Sequence, residues 1–306
     1  SYDILIFFTY LYAPTVLGLR VAPARSILVP TAPDEPAIHL GIYEDVFTLP
    51  AGIAFNTAAE RRFLTARFEI KAAAQEIVGC GVDLPQHTAY ARDQRDAEGQ
   101  RGADNGSAEG EAPQPRQRSP LSARGAVFRR RHRIHGPFAL YGGRIEKGKG
   151  CEELIEYFKA YVDDGGEATL ALMGVKLMPL PEDPFVNFAG LLSDRERAAA
   201  LEAATVVVVP SPFESLSLLA LEALPVGTPV LANARSEVLV EHCLQSNAGL
   251  YYANQDEFVE CMKVLVADER LRAAMGRNGR DYVRRNYRWD VILGKYDRMM
   301  ANIRGR

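Results

Sequence analysis

The sequence predicts an α/β protein with two domains, each built on a parallel β-sheet covered by helices. Three observations support this fold class. The chain has 306 residues, about twice the usual length of a domain, which is roughly 150 residues. Short apolar runs alternate with amphipathic segments, and strict alternation of strand and helix is typical of parallel sheets. A polar segment separates the two stretches in which this alternation occurs.

The first domain is predicted over residues 1–88. Four short apolar runs, typical of strands buried on both faces, lie at residues 4–9, 26–29, 52–55 and 76–78. Thr57 followed by Glu60 has the spacing of a capping box, which predicts a helix that continues through Phe68.

A disordered linker or surface insertion is predicted over residues 89–136. No Val, Ile, Leu, Met, Phe, Tyr or Trp occurs in residues 91–120, so burial cannot offset the entropy lost when this stretch is ordered. A basic run follows, Arg129-Arg130-Arg131-His132-Arg133. Such a run indicates either a solvated flank or a contact with an anionic membrane surface.

The second domain is predicted over residues 137–288, where the alternation is stronger. Strands are predicted at residues 138–141, 169–173, 186–188, 205–209, 229–231 and 249–251. Helices are predicted at residues 268–285 and 289–303, and residues 289–306 are expected to return to the first domain and brace it. Parallel sheets bind ligands beyond the carboxyl ends of their strands, so function is expected in the loops found there.

Charge and cysteine usage exclude several classes of function. A net charge of -3 and a pI near 6.0 argue against a nucleic-acid binder with a continuous basic face. The four cysteines are far apart and form neither a zinc motif nor a disulfide framework, which favours a reducing cytoplasm. No apolar run approaches the ~20 residues of a membrane span. No Asp-x-Asp follows a strand of the second domain, so no essential metal is expected.

The first candidate loop runs from Gly142 to Gly150 and follows the first strand of the second domain. Gly142 and Gly143 allow close approach of a ligand to the backbone, and Arg144 and Lys149 add two cations near a helix start. This combination predicts either a phosphate site or a turn whose glycines serve the backbone and whose charges face water. A nucleotide-triphosphate P-loop is excluded because Gly150 stands where Ser or Thr would hold magnesium.

The second candidate loop places acidic residues at both ends of a helix start. If a helix begins near Ser215, Glu214 and Glu222 are at most about 12 Å apart along its axis. The N–H groups of residues 215–218 would then lie between two carboxylates, where they can bind an anion. This pattern suits a nucleotide-sugar, which has hydroxyl-rich groups at both ends of a diphosphate. A third loop, residues 233–237, lines the same crevice and has no assigned role.

These motifs resemble those of the retaining, GT-B-fold glycosyltransferases of family 4, also called glycosyl transferases group 1. Arg144 and Lys149 resemble the pair that clamps the diphosphate. Glu214 and Glu222 resemble the E-x7-E motif, in which the first Glu contacts the transferred sugar and the second the ribose. Further matching stretches are Val78-Gly79-Cys80-Gly81-Val82-Asp83, Gly227-Thr228-Pro229-Val230, Gly249-Leu250-Tyr251 and Met275-Gly276-Arg277-Asn278-Gly279.

The resemblance implies a GT-B-like fold with two Rossmann-like domains, the first incomplete because its N-terminal part is missing. It implies transfer of a hexose from a nucleotide-sugar to a glycan or lipid-linked acceptor, with retention of configuration and without a cofactor, metal or nucleic acid. It also implies a cytoplasmic location with peripheral contact to the inner face of the membrane. The catalytic residues would be Arg144, Lys149 and Glu214. The donor-binding residues would be Gly142, Gly143, Gly174, Ser215, Leu216, Ser217, Leu218 and Glu222.

Two positions depart from the family pattern. Ser215-Leu216-Ser217 replaces the usual Gly-x-Gly after the first Glu, and Pro33 replaces the His expected at a strand end before Asp34. Two other functions therefore stay open, a nucleotide-sugar 2-epimerase of similar fold and a non-catalytic fragment that binds a nucleotide.

Overall fold

The computed structural model describes residues 2–84 and 122–305. These residues form two parallel β-sheets with helices packed on them. The first sheet has four strands in the order β1-β2-β3-β4, and every neighbouring pair is parallel. Its strands are β1 (Leu5–Phe8), β2 (Ser26–Val29), β3 (Gly52–Phe55) and β4 (Ala74–Ile77).

The second sheet has six parallel strands in the order β10-β9-β8-β5-β6-β7. They are β5 (Phe138–Ile145), β6 (Thr169–Lys176), β7 (Val186–Gly190), β8 (Val206–Val209), β9 (Val230–Asn233) and β10 (Gly249–Tyr252). The chain runs outward from β5 to the edge strand β7 and then returns to β8 on the other side of β5. This reversal is a topological switch point, and ligands of open α/β sheets bind beside the strand ends at such a point.

The α-helices of the described residues lie between these strands or follow the last of them. They are α1 (Ala13–Gly18), α2 (Glu44–Thr48), α3 (Ala58–Arg67), α4 (Ala123–Arg131), α5 (Cys151–Asp163), α6 (Asp194–Ala203), α7 (Leu218–Val226), α8 (Glu237–Ser246), α9 (Gln255–Ala267), α10 (Glu269–Asn286) and α11 (Trp289–Arg304). The α/β fold with two parallel sheets is therefore confirmed.

The local sequence signals explain where several of these elements begin. All ten predicted strands are present, and β2 and β3 have the predicted bounds. Thr57 caps α3 by accepting a hydrogen bond from the N–H of Glu60, as predicted. The carboxylate of Glu60 does not complete a capping box with the N–H of Thr57. It accepts hydrogen bonds from the N–H groups of Asn56 and Ala32 instead. It therefore ties the start of α3 to the loop after β2.

Three predicted boundaries are wrong. The loop predicted from Gly142 begins later, because β5 continues through Arg144 to Ile145 in register with β6. The helix predicted to begin near Ser215 begins at Leu218. The predicted linker 89–136 extends too far, because Phe128 of α4 is buried and packs against Phe138. Residues 89–121 of that linker lie outside the described residues.

The last helix, α11, lies against the first sheet. The ammonium group of Lys295 donates a hydrogen bond to the carbonyl of Val78 over 3.2 Å. The indole N–H of Trp289 donates to the carboxylate of Asp83 over 3.0 Å. The chain thus finishes the second sheet and then returns to the first.

A second contact between the two halves joins α3 to α8. The N–H of Ala59 donates to the carboxylate of Glu241 over 3.0 Å, and Arg62 forms an ion pair with Glu237. The hydroxyl of Thr57 donates to the carbonyl of Ser215 over 3.4 Å. These contacts place the second candidate loop directly beside the start of α3.

Candidate functional site

A cleft opens where β5 and β8 end, beside the topological switch point. It encloses about 560 Å³ including its open mouth. Its walls come from the end of β5, the turn before α5, the loop after β8 and the start of α7. The lining residues are Tyr141, Gly142, Gly143, Arg144, Lys149, Arg197, Val209, Ser211, Glu214, Ser217, Leu218 and Leu219.

Two glycines fix the shape of this cleft. Gly174 has a φ of +126°, and a Cβ placed there would lie 2.0 Å from the carbonyl oxygen of Gly143 on the neighbouring strand. Gly150 has a φ of +74°, and its Cβ would lie 2.4 Å from the carbonyl oxygen of Pro210. Only glycine permits these approaches without displacing backbone. Gly150 thereby brings the turn that carries Lys149 against the loop after β8.

Lys149 and Glu214 form an ion pair across the cleft. The Nζ of Lys149 lies 3.0 Å from Oε1 of Glu214 and 3.5 Å from the hydroxyl of Ser211. Their side chains are 30% and 16% exposed, so the pair is partly shielded from water. The predicted catalytic residues Lys149 and Glu214 are therefore in direct contact.

Arg144 lies at the same cleft and remains accessible. Its side chain is 62% exposed, and its guanidinium lies 3.2 Å from the carboxylate of Glu146. The hydroxyl of Tyr141 donates to the carbonyl of Arg144 over 2.7 Å and fixes the end of the strand. Of the two predicted cations, Lys149 is thus paired across the cleft and Arg144 is exposed at it.

The start of α7 faces the same space. Ser217 precedes the helix with a left-handed backbone at φ 61°, and the N–H of Leu221 donates to its carbonyl. The N–H groups of residues 218–220 therefore have no partner inside the helix. The Oγ of Ser217 is buried without a hydrogen-bond partner in residues 2–84 and 122–305. These donors carry the positive end of the helix dipole.

Ser215 and Leu216, both predicted to bind the donor, are not among the residues that line the cleft. Leu216 is buried in the core, and its carbonyl accepts a hydrogen bond from Nε2 of His242 over 2.8 Å. Burial lowers the pKa of His242 to about 4, so the ring is neutral near pH 7. With Nε2 donating, Nδ1 accepts from the hydroxyl of Tyr282 over 2.9 Å. His242 therefore holds the loop before α7 in place.

Glu222 lies one turn into α7 and does not line the cleft. Its Oε2 accepts hydrogen bonds from Nε and Nη2 of Arg197, the first over 2.7 Å. Arg197 does line the cleft, and the sequence analysis missed it. The available signal was the capping box of Ser193 and Glu196, which starts α6 just before Arg197. Gly174 likewise packs behind Gly143 rather than lining the cleft.

A second hollow lies between the two halves and meets the cleft at Glu214. It encloses about 630 Å³ including its mouth, and its lining includes Asp34, Glu60, Phe63, Phe213, Glu214 and Arg235. Among the described residues, only Glu214 lines both the cleft and this hollow. Burial raises the pKa of Glu60 to about 7, against the opposing effect of its backbone hydrogen bonds.

In residues 2–84 and 122–305, no three His, Cys, Asp or Glu side chains are grouped so that they could hold a metal ion. None of the helices in this part of the chain is both long enough and apolar enough to cross a membrane.

The chain is similar to proteins of one family. The family model described as Glycosyl transferases group 1 matches residues 127–282, just over half of the chain. A GDP-mannose-dependent alpha-(1-6)-phosphatidylinositol dimannoside mannosyltransferase of Mycobacterium tuberculosis is 32% identical over 130 residues, covering 39% of this chain and 32% of that protein. The chain thus spans about a third of the length of this curated relative.

Solved structures share the fold of the whole chain. Sucrose-phosphate synthase from Thermosynechococcus elongatus matches with a TM-score of 0.69 at 19% identity, over 99% of this chain and 74% of that one. Anabaena HepE, solved in complex with UDP and glucose, matches with a TM-score of 0.69 at 14% identity, over 98% of this chain and 78% of that one. The predicted GT-B-like architecture is confirmed at the level of fold.

Proposed function

The chain belongs to the glycosyl transferases group 1 family, and on that premise we propose that it transfers a hexose from a nucleotide-sugar with retention of anomeric configuration, as the enzymes of family 4 do. The acceptor is a glycan or a lipid-linked sugar. Support for the donor class comes from the chemistry of the cleft at the ends of β5 and β8. Support for the acceptor is the hollow between the two halves, which meets that cleft at Glu214.

One observation carries the proposal. Arg144, Lys149 and the start of α7 line the same cleft. Two cations and a set of unpaired N–H donors at a helix start are the groups that bind a diphosphate. The orphaned hydroxyl of Ser217 adds a donor that a phosphate oxygen would satisfy. Removing any one of these groups is expected to weaken binding of the diphosphate.

In the proposed reaction, the acceptor hydroxyl attacks the anomeric carbon on the face from which the diphosphate leaves. A bond forms between the acceptor oxygen and that carbon, while the bond from the carbon to the phosphate oxygen breaks. The acceptor proton passes to an oxygen of the leaving diphosphate. The protein holds the donor and stabilises the charge that develops on this group, which is the role of Arg144 and Lys149.

Glu214 and Glu222 have separate roles in this proposal. Glu214 contacts the transferred sugar, because it lies where the two hollows meet and its Oε1 is held by Lys149. For Glu222, both hydrogen bonds from Arg197 fall on Oε2, and Oε1 receives none from the described residues. We assign Oε1 to a ribose hydroxyl, with Arg197 orienting the carboxylate.

The proposal includes a cytoplasmic location with peripheral contact to the inner face of the membrane. All four cysteines are free thiols, as expected in a reducing compartment. The proposal also includes independence of metal, because Arg144, Lys149 and Arg197 supply the positive charge that a divalent ion supplies elsewhere.

Incubation of the purified chain with UDP-, GDP- and ADP-sugars tests the function. A transferase releases the nucleoside diphosphate steadily from one of them, faster with an acceptor, and NMR of the product shows retained configuration. A 2-epimerase changes the sugar without release, and a non-catalytic binder does neither. Either of those results rejects the proposal, and loss of release on adding a chelator, restored by manganese, rejects the metal independence.

A further inference from the structure

A second groove lies between α4 and α6, apart from the cleft already described. It encloses about 690 Å³ including its open mouth. Its walls are mainly apolar and come from Ala123, Val127, Phe128 and Ala199. Val127 is 54% exposed, while Phe128 is buried and anchors α4 on the second sheet. The apolar walls and the open mouth leave room for an apolar group in this groove.

The rim of this groove is basic. Arg124 and Arg195 line it, and neither forms an ion pair or hydrogen bond with any residue in ranges 2–84 and 122–305. Arg131 also lines it and is paired with Glu196. Two further exposed arginines, Arg130 and Arg133, follow on the same segment. Within residues 2–84 and 122–305, the groove therefore combines apolar walls with two arginines that no carboxylate pairs.

One polar atom inside this region has no partner. The Nε2 of His132, a residue that lines the groove, is buried without a hydrogen bond within the described residues. A buried nitrogen of this kind is costly unless a ligand or water satisfies it.

Helix α6 links this groove to the donor cleft. Arg195, Glu196 and Ala199 line the groove, whereas Arg197 of the same helix lines the cleft. The two sites are thus separated by about the diameter of one helix, ~10 Å. A surface bound at the groove would therefore lie within about one helix diameter of the cleft.

We propose that this groove docks the chain on a membrane of anionic phospholipid, with an acyl chain against Val127 and with lipid phosphates on Arg124 and Arg195. The charge of the rim matches an anionic head group and its apolar walls match the chain beneath it. This inference rests on the membrane contact included in the proposed function and adds the residues that make it.

Vesicle sedimentation tests the docking surface without donor or acceptor. The chain is mixed with vesicles of phosphatidylcholine containing phosphatidylglycerol, and with vesicles of phosphatidylcholine alone. We expect binding to the anionic vesicles only, weakening as salt is raised. Each arginine at an anionic surface contributes about fivefold to the binding constant, so Arg124→Gln with Arg195→Gln lowers it about 25-fold.

Two further variants separate the groove from general charge. Arg270 and Arg277 are exposed on α10 without a contact described for either, so Arg270→Gln with Arg277→Gln is the matched control and leaves binding within twofold. Val127→Ser keeps every charge and lowers binding several-fold, because the acyl contact is lost.

Four outcomes overturn the inference: no binding by the parent chain, equal binding to neutral vesicles, equal loss in the control, or full binding by Val127→Ser. Saturable binding of polyglutamate without vesicle binding assigns the groove to an acidic protein partner and also overturns it. Release of nucleoside diphosphate from soluble donor is measured separately. If no nucleoside diphosphate is released, the proposed function is rejected, whereas the docking surface is still decided by vesicle binding alone.

Discussion

Replacing Lys149 by methionine removes the partly shielded cation of the cleft and keeps the length of the side chain. The ammonium lies 3.0 Å from Glu214, which is 16% exposed, so the substitution also leaves a carboxylate without its partner. Loss of one group that stabilises developing charge costs about 3 kcal/mol of transition-state stabilisation, which is a fall in kcat of about 150-fold.

The assay is the initial rate of nucleoside diphosphate release at saturating donor. Lys147 is the matched control, because it lies in the same turn, is 73% exposed and pairs with Glu152 outside the cleft lining. Lys147→Met is expected to leave kcat within twofold. The reasoning is refuted if Lys149→Met retains kcat within fivefold of the parent while its melting temperature is unchanged.

A double substitution tests the same ion pair further. In Lys149→Met the unpaired Glu214 repels the diphosphate, so adding Glu214→Gln removes that repulsion. The double variant is expected to bind the nucleoside diphosphate more tightly than Lys149→Met alone, although its kcat stays low. Weaker binding by the double variant would show that Glu214 does not face the bound diphosphate.

Three other predictions concern the surroundings of the cleft. Glu222→Gln is expected to weaken nucleoside diphosphate binding about tenfold with little change in kcat, because a ribose contact is lost; an unchanged dissociation constant counts against that role. The raised pKa of Glu60 means that its protonated form stabilises the fold, fully below pH about 4.5 and no longer once the pH has risen through about 7. The amount by which Glu60→Gln lowers the melting temperature is therefore expected to shrink over this pH range. A constant difference in melting temperature contradicts the raised pKa. Gly174→Ala forces a Cβ against the carbonyl of Gly143 and lowers the melting temperature by about 5 °C, whereas Gly148→Ala, with open space around it, changes it by about 1 °C; equal shifts would reject the close approach.

The sequence was informative wherever local chemistry decides the structure. Strands buried on both faces are continuous apolar runs, which is why β2 and β3 have the predicted bounds. The hydroxyl of Thr57 satisfies the N–H of Glu60 three residues later, so the start of α3 can be predicted from that spacing. Arg144 lies near the end of β5 and Lys149 follows that strand, so the parallel sheet brings both to its carboxyl edge.

Contacts distant in sequence could not be predicted in this way. α7 begins at Leu218 because Leu216 is buried and its carbonyl is held by His242, 26 residues away. Glu222 pairs with Arg197 across two helices, 25 residues apart, and no periodic pattern encodes that pair. The Gly142-Gly143 pair indicates a turn locally, but pairing of Gly143 with Gly174 extends the strand.

The basic run at residues 129–133 overlaps the ordered helix α4, which its composition does not predict. Its arginines dominate the composition of residues 122–136, which is why the composition alone predicts a linker there. Phe128 and Ile134 are nevertheless buried, and the guanidinium of Arg129 lies 4.7 Å from the ring centroid of Phe138. Phe128 anchors α4 against Phe138, and Ile134 is buried in the segment that follows the helix.

Calorimetric titration of the purified chain with a nucleoside, its monophosphate and its diphosphate measures most directly whether Arg144, Lys149 and the start of α7 hold one pyrophosphate. All three ligands carry the base of the nucleotide-sugar from which the chain releases nucleoside diphosphate. The diphosphate is expected to bind at least a hundredfold more tightly than the nucleoside, and combined Arg144→Ala and Lys149→Met substitutions should abolish that difference. Equal affinity for the nucleoside and the diphosphate, or an advantage that survives both substitutions, would contradict the account.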